Sequence, residues 1–389
     1  MNIVIAPDSF KGSIEAKKVS KCIQNGVKKV FPSASCITIP LADGGEGTLD
    51  AILQSKQGET LKCYIHNPLG KTILSRFGIF QKTKCIIEVA DAIGINLIPN
   101  NHKTILQANS YGVGELIKVA LDNNCNEIYI SLGGSATNDA GIGLLSALGI
   151  RFLDSKNECI EPIPSNIKKI ENIDISGLDP RIHNTSFYIL CDVNNHLCGP
   201  HGATLTYGKQ KGADDLEIKQ LETAFQHLIQ ICKKEKIVSK HNIDGSGAAG
   251  GLGFALLTFV EAKRLSGINF ILDIVDFDKK IKNADLIITG EGKIDGQSIY
   301  GKVPIGVATR AAQYHIPTIA IVGSIGENAD LVYDYNIAAI EACVSKPMLL
   351  DEAIKNSTTN IENATIRIMK SIQIGMSLKK EKSEKNINF

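Results

Sequence analysis

The sequence predicts an α/β protein of two domains built largely on parallel sheet. Three observations lead there. A unit of short apolar run, Gly-rich loop and amphipathic stretch recurs along the chain. Residues 61–90 interrupt that rhythm with two or three β-rich runs, so the chain leaves its first sheet there. The length, 389 residues with 43% hydrophobic content, exceeds what one core usually organises.

Residues 2–6 are an apolar run of strand length, and Pro7, Asp8 and Gly12 mark the loop after it. Ser13 is placed to cap a helix with the apolar face Ile14, Val19, Ile23, Val27 and Val30. Residues 36–41 are the next strand, and 42–48 the next loop. The unit returns at 127–132, 187–191, 285–289 and 318–322, each followed by a loop rich in Gly, Asn or Asp. Residues 154–186 are rich in Pro, Asn, Asp and Ser and read as an irregular connection. From 377 to 389 the chain is charged and Lys/Asn-rich with almost nothing to bury, which predicts a disordered tail.

The formal net charge is +1, so no single-sign field steers the chain to nucleic acid or an anionic membrane. The N-terminus has no basic segment followed by a long apolar core, and runs such as 254–260 are too short to cross a bilayer. These features predict a cytoplasmic protein. The ten Cys are scattered without a CxxC, which argues against a disulfide framework or a zinc site.

In open parallel sheets ligands bind beyond the carboxyl ends of the strands. There this chain places Asp8, Ser9 and Lys11, then Asp43 to Thr48 with Glu46 among them, then Gly133, Gly134, Ser135, Ala136, Thr137, Asn138 and Asp139, then Asp192 and Asn194, then Glu291, Lys293 and Asp295. Gly, Asp, Asn and Ser are ordinary turn formers, so one such loop means little. Five of them suit a phosphate: backbone N–H groups and hydroxyls cradle the anion, carboxylates serve Mg²⁺, and Lys supplies charge.

Two motifs are set aside. Residues 245–250 fit GxGxxG, but no buried strand precedes them, and close helix packing or a hinge explains them better. Residues 296–302 begin a P-loop pattern, but the next residue is Val303, which has no hydroxyl for a metal. Lys302 remains a candidate phosphate contact.

The segments 6–13 (APDSFKGS), 40–48 (PLADGGEGT), 109–117, 132–141 (LGGSATNDAG), 191–203, 207–213 (YGKQKGA), 245–256 and 285–308 (DLIITGEGKIDGQSIYGKVPIGVA) together resemble the bacterial type I glycerate kinases. The resemblance covers roughly residues 1–375, in order and spacing. It implies two interlocked α/β domains. One is flavodoxin-like, assembled from 1–62 and 285–376. The other, 63–284, is a mixed α/β domain likened to restriction-endonuclease folds, and the resemblance puts the active site in the cleft between them. It also implies Mg²⁺-assisted transfer from ATP to D-glycerate, chiefly giving 2-phosphoglycerate.

On that basis 133–138 would hold ATP phosphates. Asp43, Glu46 and Glu291 would serve the metal, Asp192 would act as base or orient the hydroxyl with Asp43 and Asp295 nearby, and Lys11 and Lys293 would neutralise charge. The partner is a small-molecule substrate, with no nucleic acid or membrane, in a monomer or homodimer. Three departures stand out: Ala140-Gly141 replaces a Gly pair, 207–213 differs from FGPQKGA, and Lys293 replaces an Arg, losing a forked donor. Two other readings share these residues, a 3-kinase or kinase of a related hydroxy acid, and a silent sensor of glycerate or nucleotide. The sensor predicts lost carboxylates, which are all present.

Overall fold

The structure is a computed structural model that describes residues 1–98 and 105–385. The chain divides into two compact units, Met1–Asp43 with Ile271–Phe389, and Gly44–Phe270. The first crossing falls inside the Gly-rich loop at 42–48, so the β-rich run that follows lies wholly in the second unit.

The first unit is built on a five-stranded sheet. Its strands in chain order are Asn2–Ile5, Ser35–Thr38, Leu286–Thr289, Thr318–Val322 and Ile337–Ala342, and every pairing is parallel. They lie side by side in the order second, first, third, fourth, fifth. That is a doubly wound order with its switch point between the first and third strands. The inner strands Leu286–Thr289 and Thr318–Val322 are buried throughout and almost wholly apolar because helices cover both faces.

The helix Ala16–Val30 buries Val19, Cys22, Ile23 and Val27, the spacing of one helical face. Ser13 does not cap it. Its N-cap is Glu15 with no side-chain bond, because Phe10 N–H donates to Ile14 O at 2.9 Å and holds the chain in a tight reversal up to that point. The last helix, Ser357–Lys385, runs into the stretch where composition predicted disorder. Lys and Glu are good helix formers, and extending a packed helix needs no new nucleus. Residues 386–389 of that expected tail lie outside the described residues.

The second unit has a six-stranded mixed sheet. Glu59–His66, Thr72–Phe80 and Lys84–Glu88 form an antiparallel meander, which is the β-rich run of the sequence. Glu127–Ser131, Ser186–Leu190 and Lys263–Leu265 then add in parallel. One face carries the main core, where Ile128, Ile130, Phe187 and Ile189 meet Val113, Leu116 and Phe254. The connection at 154–186 contains only short 3₁₀ turns and the strand Asn172–Asp174, paired with Arg151–Leu153. Among the described residues no helix is long and apolar enough to cross a membrane, and all ten cysteines are unbridged.

Candidate active site

At the first unit's switch point, strands Asn2–Ile5 and Leu286–Thr289 end side by side. The Asp8 N–H donates to Gly290 O at 2.9 Å, which ties the loops after these strands together. This places the Asp8 carboxyl inside, only 4% exposed. Burial, with Asp43 next and Glu291 adding, pushes its pKa up to about 8 against the pull of Lys11 and the Ser9 N–H. Lys11 Nζ meets Asp43 Oδ2 at 3.0 Å. Burial works against the Lys11 ammonium, but Asp43 and Asp8 outweigh it and hold its pKa above the usual value.

Glu291 is also buried. Its Oε1 accepts from Ser298 Oγ at 2.6 Å and its Oε2 from Lys302 Nζ at 3.0 Å. Burial still leaves its pKa raised, since Lys302 and Ser298 offset it only in part. Lys293 pairs with Asp295 at 3.1 Å. Burial disfavours the Asp295 carboxylate, but Lys293 and the Gln297 N–H outweigh it and lower its pKa. Of the expected residues, Lys11, Asp43, Glu291, Lys293 and Asp295 thus share one cluster.

Among the described residues no three His, Cys, Asp or Glu side chains converge as a ready-made metal cage. Mg²⁺ needs none, since it usually takes one or two carboxylates and completes its shell with water and phosphate. Asp8 and Asp43 suit it: they are hard oxygen donors, Asp43 close enough to disfavour the charge on Asp8, and a divalent cation would relieve that.

In the second unit the strand Glu127–Ser131 opens into the loop 132–139 ahead of the helix Ile142–Ala147. The Ala136 N–H donates to Ile93 O at 2.8 Å and the Ile95 N–H to Gly134 O at 3.1 Å, so the loop is pinned on one side. The N–H groups of Gly133, Gly134 and Ser135 have no acceptor among the described residues. Asp139, fully buried, accepts from the N–H and Oγ of Ser110 and the N–H groups of Gly141 and Gly143 at 2.7–3.2 Å. Lys211 Nζ donates to Ser135 Oγ at 3.0 Å and Thr137 O at 2.7 Å. Burial pulls its pKa down to about 7 although Asp139 opposes it.

The six residues 133–138 therefore do different things. The first three offer donors. The side chains of Thr137 and Asn138 are fully buried, with Asn138 Nδ2 on Thr204 Oγ1 at 2.9 Å. Behind them lies the stretch 245–250. Ala249, Gly250 and Gly251 are all left-handed, and a Cβ on Gly250 would stand 2.1 Å from Thr137 O. Close packing accounts for that glycine motif. Ala140, where the resembling family has Gly, is left-handed as well at φ 52°.

Ser131 Oγ donates to Gly44 O and Gly45 O, which draws the Gly-rich turn 44–47 to the same strand end. Glu46 is exposed on that turn. Behind it Glu88, only 2% exposed, accepts the Leu49 N–H at 2.7 Å, and burial pushes its pKa up to about 7. Arg76 joins Asp50 and Asp91 at 2.9 Å each. Asp192 accepts the N–H groups of Gly267 and Ile268 at 3.1 and 3.3 Å, at the start of the helix Gly267–Ile274.

Sequence reasoning passed over Asp8, Ser298, Glu88 and Lys211. Asp8 stood in a noted loop without any mark of its burial. Lys211 had a signal, its place in the 207–213 segment.

The chain is similar to known proteins over nearly its whole length. Residues 3–373 match the family model described as the glycerate kinase family. A glycerate 2-kinase of Escherichia coli (strain K12) is 40% identical over 97% of this chain and 99% of its own length. A glycerate kinase of Halalkalibacterium halodurans is 41% identical over 94% of this chain and 97% of its own. A crystal structure of a candidate glycerate kinase 2 from Salmonella typhimurium LT2 superposes with a TM-score of 0.82 at 36% identity, covering 97% of this chain and 99% of that one.

Proposed function

The chain belongs to the glycerate kinase family, and we propose that it transfers the γ-phosphate of ATP, with Mg²⁺, to the 2-hydroxyl of D-glycerate. The observation that carries the phosphate half of this reading is the row of N–H groups at Gly133, Gly134 and Ser135 without acceptors among the described residues. Adjacent backbone donors at a strand end are an anion cradle, and they need no side-chain motion to act. The name of the Escherichia coli relative supports the 2-hydroxyl.

Phosphoryl transfer asks mainly for positioning and charge neutralisation. In the proposed scheme the 133–135 backbone would hold the polyphosphate. Asp43 with Asp8 would hold Mg²⁺, which neutralises phosphate charge when bound. Lys11 and Lys293 would take the remaining negative charge, of phosphate and of the glycerate carboxylate. Asp192 would orient the acceptor hydroxyl. Its bonds to two N–H groups fix its direction, which suits it to orienting the hydroxyl.

The test is turnover of the purified protein with ATP, Mg²⁺ and D-glycerate, the product identified by phosphorus NMR. A 2-phosphoglycerate signal is expected. A 3-phosphoglycerate signal would keep the kinase and move the hydroxyl. Folded protein giving no Mg²⁺-dependent product would sink glycerate as the substrate.

A further inference from the structure

We propose that Lys211 is a further nucleotide-binding residue, the cation that meets the polyphosphate at the 133–135 cradle. The inference rests on the ATP-dependent reading above. Lys211 ends the short turn Lys209–Lys211, far from the loop in sequence. Its Nζ nevertheless reaches Ser135 Oγ and Thr137 O, so two of its three donors fix it against the loop. The third has no partner among the described residues. Ser135 is also one of the three residues whose N–H has no acceptor among the described residues. The cation and the backbone donors therefore meet at one residue.

The charge balance points the same way. The charged group acting on Nζ is Asp139, whose oxygens already serve four other donors. Lys209 and Asp215 pair with each other at 3.1 Å on exposed side chains and leave Nζ alone. Without an anion, burial holds the Lys211 pKa down to about 7. A bound polyphosphate favours the ammonium and raises that pKa, so binding at a pH above it draws in a proton. A lysine that merely moors the loop would show no such uptake.

The experiment is calorimetric titration of ATP into the full-length protein at about pH 8, in two buffers of different ionisation enthalpy, which counts protons. Wild type is expected to take up a large fraction of one proton per ATP. Lys211→Met should bind at least about ten-fold more weakly, with no uptake. Lys211→Arg should recover much of the affinity without uptake, because a guanidinium stays charged throughout. It also serves as the test should the Met variant fail to fold. ATP binding by wild type without uptake, or uptake persisting in either variant, would overturn the proposal. A wild-type protein that binds no ATP would overturn the nucleotide reading itself, and this inference with it.

Discussion

Asp8 shows how one buried carboxyl sets stability against function. Its pKa of about 8 means that the folded chain keeps a proton which the unfolded chain releases near its ordinary value of 3.8. Asp8→Asn mimics the protonated form. It should leave stability near about pH 4 unchanged and raise it by ~2–4 kcal/mol at about pH 8, read from urea midpoints. Turnover should fall by at least about 100-fold, because the proposed Mg²⁺ acceptor is lost. An Asn variant with normal turnover would remove Asp8 from the site. Gly250 makes a second case. Its φ of +68° and the 2.1 Å approach of a Cβ to Thr137 O leave a side chain no room. Gly250→Ala should cost ~2–4 kcal/mol and weaken ATP binding through the displaced cradle. A melting temperature within a degree or two of wild type would contradict that packing.

At the scale of elements, strand ends were legible and side-chain reach was not. The apolar runs at 2–6, 127–132, 187–191, 285–289 and 318–322 are strands within a residue or so, because buried parallel strands need unbroken apolar sequence. The loops after them were readable as candidate binding loops for the same reason. Contacts made far along the chain leave no periodic trace. Lys211 on Ser135 and Glu88 on Leu49 are such cases. So is the meeting of the helices Ala16–Val30 and Ser357–Lys385, where Gly26 lies against Thr365. Helix propensity alone says that Gly26→Ala should stabilise by ~1 kcal/mol. Packing reverses the sign: the new Cβ would stand 2.6 Å from Thr365 Cβ and 2.8 Å from Glu362 O. The variant should lose ~1–3 kcal/mol, read from urea midpoints. A stabilised single variant would show that these helices have slack.

For the whole molecule, the shifted groups sum to a pH dependence that net charge does not foresee. Asp8 and Glu88, with pKa values raised to about 8 and about 7, keep protons in the fold that the unfolded chain loses above its ordinary carboxyl range. Their protonated forms favour the fold fully below that range, and the advantage is lost as pH rises through their folded values. Lys211, lowered to about 7, works in the opposite direction. Between that value and its unfolded 10.5 the unfolded chain binds the extra proton, so stability rises with pH there. The two trends cross near neutrality. Without nucleotide or metal, stability should fall from about pH 5 to a shallow minimum at about pH 7–8, by roughly 3 kcal/mol, and then level or recover. Denaturant titrations across that range would show it. Asp8→Asn should flatten the falling limb and Lys211→Met the rising one. With Asp8 as the proposed cation ligand, saturating Mg²⁺ should add more stability at about pH 8 than at about pH 5, because its binding displaces the proton that Asp8 keeps; with Lys211 as the proposed phosphate contact, ATP should add more at about pH 5, where the ammonium is already formed. A ligand effect equal at both pH values would separate these titrations from binding, and leave them as a property of the fold alone.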